Sequence, residues 1–166
     1  MRISTGLGSH LYALMRVIPK TSGDVLEMGI GIGSTPYLHW ACMGKRHLVS
    51  YEQDPKYYSF LKGFASPDHE LHLVESYDDA DIERPWGVAF IDHGPNLRRI
   101  VDIKRIVDYA RVLVLHDTAP VWESKYHYKE IYPLFKFRVD YPVAKTWVSV
   151  LSNHVDVEKK FGAFTG

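Results

Sequence analysis

Residues 27–35 read "EMGIGIGST". Three glycines at alternate positions follow a carboxylate, and a Ser-Thr pair closes the run. Glycine stands where backbone must turn sharply or approach something closely. Upstream, "DVLEMG" (24–29) has the apolar character of a short buried strand that stops at the glycines. Downstream, Thr35 followed by Pro36 reads as the cap and first position of a helix running through "YLHWACM" to Gly44. The unit is strand, glycine loop, helix, and it turns backbone N–H groups and a helix N-terminus toward a ligand. A dinucleotide site asks for G-x-G-x-x-G. Gly29 and Gly31 fit, but the third place holds Ser34, and the glycine comes one residue early at Gly33. Glu27, on the strand just ahead of the loop, would repel a pyrophosphate. It would attract a ligand carrying an amine or a sulfonium.

Outward from this unit, strands and helices alternate. Ser9 reads as the cap of a short helix over 9–17. "HLVSYEQ" (47–53) is a second strand, and Asp54 with Pro55 opens the next helix, "KYYSFLKGF". "HELHLVES" (69–76), "GVAFID" (87–92) and "RVLVLHD" (111–117) are further strands. Between the last two, "NLRRIVDIKRIVDYA" carries Leu97, Ile100, Val101, Ile103, Ile106 and Val107 on one helical face. The tail "FKFRVDYP…KTWVSVLSN" reads as two strands that finish the sheet antiparallel. The pattern predicts a doubly wound α/β fold: a mostly parallel sheet with helices on both faces and an antiparallel C-terminal strand. In such sheets ligands lie beyond the carboxyl ends of the strands. There the polar residues collect: Glu27, Glu52, Glu75 with Ser76, Asp92 with His93, and His116 with Asp117.

The 166 residues read as a single domain spanning 1–166. Lys+Arg and Asp+Glu are balanced at 20 each, so neither nucleic acid nor a membrane surface is expected as partner. Cys42 is alone, the first residues lack an apolar leader, and no stretch has bilayer-spanning length; a cytoplasmic protein is expected. Oligomeric state is not readable from the chain.

"EMGIGIG" resembles the E/D-x-G-x-G-x-G signature of class I S-adenosylmethionine-dependent methyltransferases, whose cofactor carries the expected amine and sulfonium. Glu52 lies 19 residues past Gly33, at the end of the second strand. An acid placed so suits the paired hydroxyls of a ribose. The resemblance implies a Rossmann-like methyltransferase fold, with cofactor held by Glu27, Gly29, Gly31, Gly33 and Glu52. "ESYDD" is similar to the segment that flanks the adenine, which makes Ser76 and Tyr77 candidates. "FIDHGP" resembles the fourth-strand motif whose acid, here Asp92, lies near the transferring methyl. "VLVLHDTAP" resembles the "HDT" of several small-molecule and sugar O-methyltransferases, some of which bind a divalent metal.

These motifs imply methyl transfer from S-adenosylmethionine to a small, hydroxylated acceptor. Transfer to a hydroxyl needs alignment plus a base or a metal. Asp92, His93, His116 and Asp117 end two neighbouring strands and are the catalytic candidates. His93 or His116 is then the base, oriented by the aspartates, or Asp92 and Asp117 hold a Mg²⁺-type ion. The metal-free histidine base is the expectation, since "FIDHGP" offers no further carboxylate. A plainer reading has Asp117 and Thr118 cap a turn while Asp92 ties down its loop. Trp147 could wall the acceptor pocket, and His10 with "STGLG" (4–8) could fold over the cofactor. Tyr57 and Tyr58 read as packing. Two rivals remain: a protein that binds the cofactor or its demethylated product without transfer, and a nicotinamide-dependent oxidoreductase, which Glu27 and Ser34 disfavour.

Overall fold

The computed structural model describes residues 8–165. Seven strands form one sheet in the order β3-β2-β1-β4-β5-β7-β6. They are β1 (Val25–Met28), β2 (Leu48–Glu52), β3 (His69–Leu73), β4 (Val88–Ile91), β5 (Leu113–His116), β6 (Phe137–Tyr141) and β7 (Val148–Ser152). β1 to β5 are parallel, and β7 lies antiparallel between β5 and β6. This is the doubly wound sheet with an antiparallel finish that the strand pattern predicts.

The four central strands β1, β2, β4 and β5 are buried along their whole length, as strands covered on both faces must be. Alternate residues feed two cores. Leu26, Ala89, Ile91, Leu113 and Leu115 face one, with helix α4 (Arg98–Ile106) and the short α5 (Glu123–Tyr126) packed over them. Val25, Val88, Phe90, Val112 and Val114 face the other, under α1 (Leu11–Val17), α2 (Ser34–Cys42) and α6 (Val157–Phe161). A further helix, α3 (Pro55–Leu61), follows β2. The sequence pattern did not foresee α6, whose N-terminus Asp156 caps by accepting from Lys159 N–H.

Several local expectations give way to stronger tertiary partners. Asp54 does cap α3, accepting from Lys56 N–H at 2.8 Å. Ser9 does not cap α1: its hydroxyl bonds His116 and Thr146 instead, and α1 has no side-chain cap. Thr35 does not cap α2, which begins two residues earlier than expected, at Ser34 with Gly33 in the cap position; the Thr35 hydroxyl turns inward to Glu27. In α4 the buried stripe is shifted. Leu97 and Val101 are exposed, while Arg99 and Asp102 lie buried beside Ile100, Ile103 and Ile106. Buried charges survive only when paired: Arg99 pairs with Asp92 and Asp117 at the ends of β4 and β5, and Asp102 with His93, Arg98 and Arg105.

Candidate functional site

The chain leaves β1 toward β2 on one side and, later, β4 toward β5 on the other, so the sheet's switch point lies between β1 and β4. A cleft of about 370 Å³ opens there, beyond the carboxyl ends of the strands. Its walls are the loop 29–34, then Glu52, Asp54 and Tyr57 from the β2 side, and Asp92, His93 and His116 from the β4–β5 side. Gly8 and His10, from the segment before α1, complete it. Residues 4–7 of the N-terminal segment lie outside the described residues.

The three glycines of the loop serve three different needs. Gly29 has φ +86°, and a Cβ there would come within 2.6 Å of His93 Cα, so the β1 loop can cross the β4 loop only as glycine. Gly31 meets only the Ser34 hydroxyl, at 3.3 Å, and leaves backbone open to the cleft. Gly33 makes room for an imidazole: a Cβ there would stand 3.0 Å from His10 Nε2. Loop and N-terminal segment are therefore fitted to each other.

Glu27 does not reach the cleft. It is fully buried, accepts from Thr35 Oγ1 at 3.0 and 3.1 Å and from Ser50 Oγ at 2.6 Å, and so acts through Thr35, whose oxygen receives Gly31 N–H. Burial pushes its carboxyl up to about 7, against the pull of the Ser50, Ser34 and Thr35 hydroxyls. Other acids do line the cleft. Glu52 is one. Its Oε2 accepts Ile30 N–H at 3.0 Å, and its Oε1 accepts Gln53 and Asp54 N–H at 2.8 Å each, which locks the carboxylate against the glycine loop. A carboxylate offers about four acceptor sites, so one remains for a ligand hydroxyl. Burial raises the Glu52 carboxyl above its ordinary range despite these three donors.

On the other wall a buried guanidinium organises the strand ends. Arg99 donates to Asp92 Oδ1 at 2.9 Å, to Asp117 Oδ2 at 3.4 Å, to Tyr128 Oη at 3.0 Å and to the carbonyls of His93 and His116. Asp117 also receives Tyr126 Oη at 2.9 Å and does not line the cleft. Arg99 stands between the two aspartates and donates to both, so the pair read as a possible Mg²⁺ site is bridged by a guanidinium. Burial alone would raise the Asp92 carboxyl, but the His116 hydrogen bond and the Arg99 charge hold it below its ordinary value. His116 Nδ1 pairs with Asp92 Oδ1 at 2.9 Å and Nε2 with Ser9 Oγ at 2.8 Å. Burial opposes its charge, yet Asp92 and Asp117 raise its pKa on balance. Both ring nitrogens of His116 are engaged, so it offers no free lone pair to an acceptor. His93 gives Nε2 to Asp102 at 2.9 Å, and burial lowers its pKa.

Ser76 and Tyr77, like Glu27 and Asp117, are not brought to the cleft. Ser76 caps a short turn by accepting Asp78 N–H, and the buried Tyr77 ring packs on His93 with centroids 4.4 Å apart. Trp147 is half-buried outside the cleft as well. Conversely, Tyr57 is 52% exposed and lines the cleft rather than packing in the core. Arg99 and Asp54 were not foreseen as site residues, whereas His10, expected to fold over the cofactor, does line the cleft. Arg99 and Asp102, two charges on the apolar face of α4, were a legible signal of buried pairing, each with its own partners: Asp92 and Asp117 for Arg99, and His93, Arg98 and Arg105 for Asp102.

Among solved structures, the chain superposes on an O-methyltransferase of Streptomyces achromogenes involved in tomaymycin synthesis, in complex with SAM, with TM-score 0.62 at 16% identity over 91% of this chain and 81% of that one. It also matches an O-methyltransferase of Bacillus cereus in complex with SAH, with TM-score 0.60 at 12% identity, covering 91% and 82%. This is the class I methyltransferase fold. The methyltransferase fold also matches here a spermidine synthase bound to a transition-state analogue, with TM-score 0.68 at 15% identity, covering 92% of this chain and 64% of that one. No protein-family model and no curated protein matches the sequence. At these identities the methyltransferase fold is shared while the reaction is carried by the site.

Proposed function

We propose that this chain binds S-adenosylmethionine in the cleft and transfers its methyl to a hydroxyl of a small acceptor. The observation that carries this reading is the charge of the cleft. Glu52, Asp54 and Asp92 line it, and no Lys or Arg does so among the described residues. Such a cleft suits a cation with ammonium and sulfonium groups and is hostile to a pyrophosphate. Glu52, locked by three backbone N–H groups, is set to accept a ribose hydroxyl. The open backbone at Gly31 lets the cofactor approach closely. Tyr57 offers a flat apolar face on the same side as Glu52.

In the transfer itself the acceptor oxygen forms the new O–CH₃ bond as the S–CH₃ bond breaks. The S–CH₃ electron pair would stay on sulfur, and the hydroxyl proton would pass to solvent water at the cleft mouth. Alignment of the two bonds supplies most of the effect. Asp92, held ionised by His116 and Arg99, stabilises the sulfonium before transfer.

One observation favours a second reading, binding without transfer: His116, one of the two expected bases, has both nitrogens committed. Incubation with methyl-labelled S-adenosylmethionine and a panel of hydroxylated small molecules separates the two. Label appearing on an acceptor supports transfer. Binding of S-adenosylhomocysteine with no label moved across the panel supports the second reading. Mass spectrometry of whatever co-purifies with the protein narrows the acceptor class.

A further inference from the structure

His10 is 6% exposed, and neither of its ring nitrogens has a hydrogen-bond partner among the described residues. Leaving a buried polar group unpaired costs about 1–3 kcal/mol. This imidazole is therefore placed to receive a partner from the cleft. Its ring stands edge-on to His116, with centroids 5.1 Å apart, and Gly33 is the residue that admits it. One donor atom each from His10, Asp92 and His116 lie within 4.8 Å of one another, and all three residues line the cleft.

We propose that His10, Asp92 and His116 form a three-ligand site for a divalent transition ion of the Zn²⁺ or Fe²⁺ class, at the β4–β5 end of the cleft. Two donors each about 2.1 Å from an ion at a tetrahedral angle are about 3.4 Å apart. His116 Nδ1 and Asp92 Oδ1 are already 2.9 Å apart, with a proton in the place the ion would take. Closing the third donor onto them needs side-chain shifts of about an ångström. The surroundings fit as well. Metal-bound imidazoles hold their second N–H against another acceptor, and bound carboxylates are themselves held from behind. Ser9 Oγ sits 2.8 Å from His116 Nε2 and is itself fixed by Thr146 Oγ1 at 2.6 Å. Arg99 holds Asp92 from the side of the core. Two imidazoles and one carboxylate, with open positions toward a cleft, suit Zn²⁺ or Fe²⁺ and are a poor match for Mg²⁺, which prefers oxygen ligands. The ion would lower the pKa of an acceptor hydroxyl, the task His116 is not free to perform. That last step rests on the methyl-transfer reading, whereas ion binding does not.

The test uses Co²⁺ as a spectroscopic probe on the full chain, stripped with a chelator and without cofactor. One Co²⁺ per chain should bind, with a visible absorption band that Zn²⁺ abolishes and Mg²⁺ leaves in place. His10→Ala should weaken Co²⁺ binding by roughly 100-fold, at least the loss seen when supporting residues around a metal are removed. His154→Ala, an exposed histidine outside the cleft, should change it by less than about threefold, as expected of a site that shares no partner with the ligands. Absence of stoichiometric binding overturns the proposal. So does unchanged affinity in His10→Ala, or a loss in His154→Ala as large as that in His10→Ala. Should His10→Ala melt too low to study, imidazole ¹⁵N spectra of the unaltered chain decide. Zn²⁺ must shift two buried rings and leave the surface histidines unmoved; any other pattern overturns the site. None of these readouts depends on methyl transfer.

Discussion

The two sides of the cleft each gather carboxylates at the strand ends or just behind them, and they treat these acids in opposite ways. On the β1–β2 side, Glu27 and Glu52 meet only hydroxyls and backbone N–H groups, and burial wins: both carboxyls are raised, Glu27 to about 7. On the β4–β5 side, Asp92 at the strand end is partly buried and Asp102 on α4 fully so, yet both are lowered, because histidine and arginine side chains face them. A neutral donor satisfies a carboxylate's geometry without offsetting its desolvation, and a guanidinium does both. One wall is thus a polar scaffold for the glycine loop, and the other is an ionic lattice around Arg99.

Removing the ion at the centre of that lattice should have the largest effect. Arg99→Met leaves Asp92 and Asp117 without their shared cation, and breaking a buried pair by deleting one partner costs about 3–5 kcal/mol. Urea denaturation should show a loss of that size. A loss below about 1 kcal/mol, the value of a surface pair, would mean the two walls are not different in kind.

Glu27 probes the opposite wall through pH. Its folded pKa, about 7, stands above its ordinary 4.5, so the folded state holds this proton more tightly. The stability it contributes is complete below pH 4.5 and is lost as pH rises through about 7. Each tenfold difference in proton affinity is worth about 1.4 kcal/mol, so the loss is roughly 3 kcal/mol. Glu27→Gln should remove this decline, so that the difference in unfolding free energy between variant and parent grows with pH across that window. Parallel curves would show that the Thr35 and Ser50 hydroxyls keep Glu27 ionised.

Glu52→Gln keeps the shape of the side chain and removes its charge. Calorimetry should find S-adenosylmethionine binding weakened about tenfold, a change of about 1.4 kcal/mol. Equal affinity in the two proteins would make Glu52 a support for the loop only. The smallest effect is expected from Ser76→Ala, which removes a turn cap worth about 1 kcal/mol of stability. Cofactor affinity should stay as it was, and a marked loss would bring the 76–77 segment back into the cleft.

The fold was legible because strand burial and helix periodicity are local in sequence. "VAFI" and "VLVL" announce strands covered on both faces, and the glycine run marks the switch point. The β2-side acid Glu52 was legible for the same reason, since its spacing from the loop is fixed by one helix and one strand. What escaped depends on distant pairing. Ser9 has the chemistry of a helix cap, but His116, more than a hundred residues later, takes its hydroxyl. Glu27 looked like a cleft acid because strand ends face the ligand, but Thr35 and Ser50 draw it into the core. His10 was read only as part of a segment folding over the cofactor; the space left by Gly33 and the neighbouring His116 give it its place.

The central claim is that an acid-lined cleft at the β1–β4 switch point selects a cationic adenosyl sulfur compound. Thermal unfolding with added ligand tests it most directly. S-adenosylmethionine at 100 times its dissociation constant should stabilise the native state by about 2.7 kcal/mol. S-adenosylhomocysteine should also raise the melting temperature, and NAD and NADP should leave it unmoved. Stabilisation by a dinucleotide, with none from either adenosyl sulfur compound, would contradict that claim.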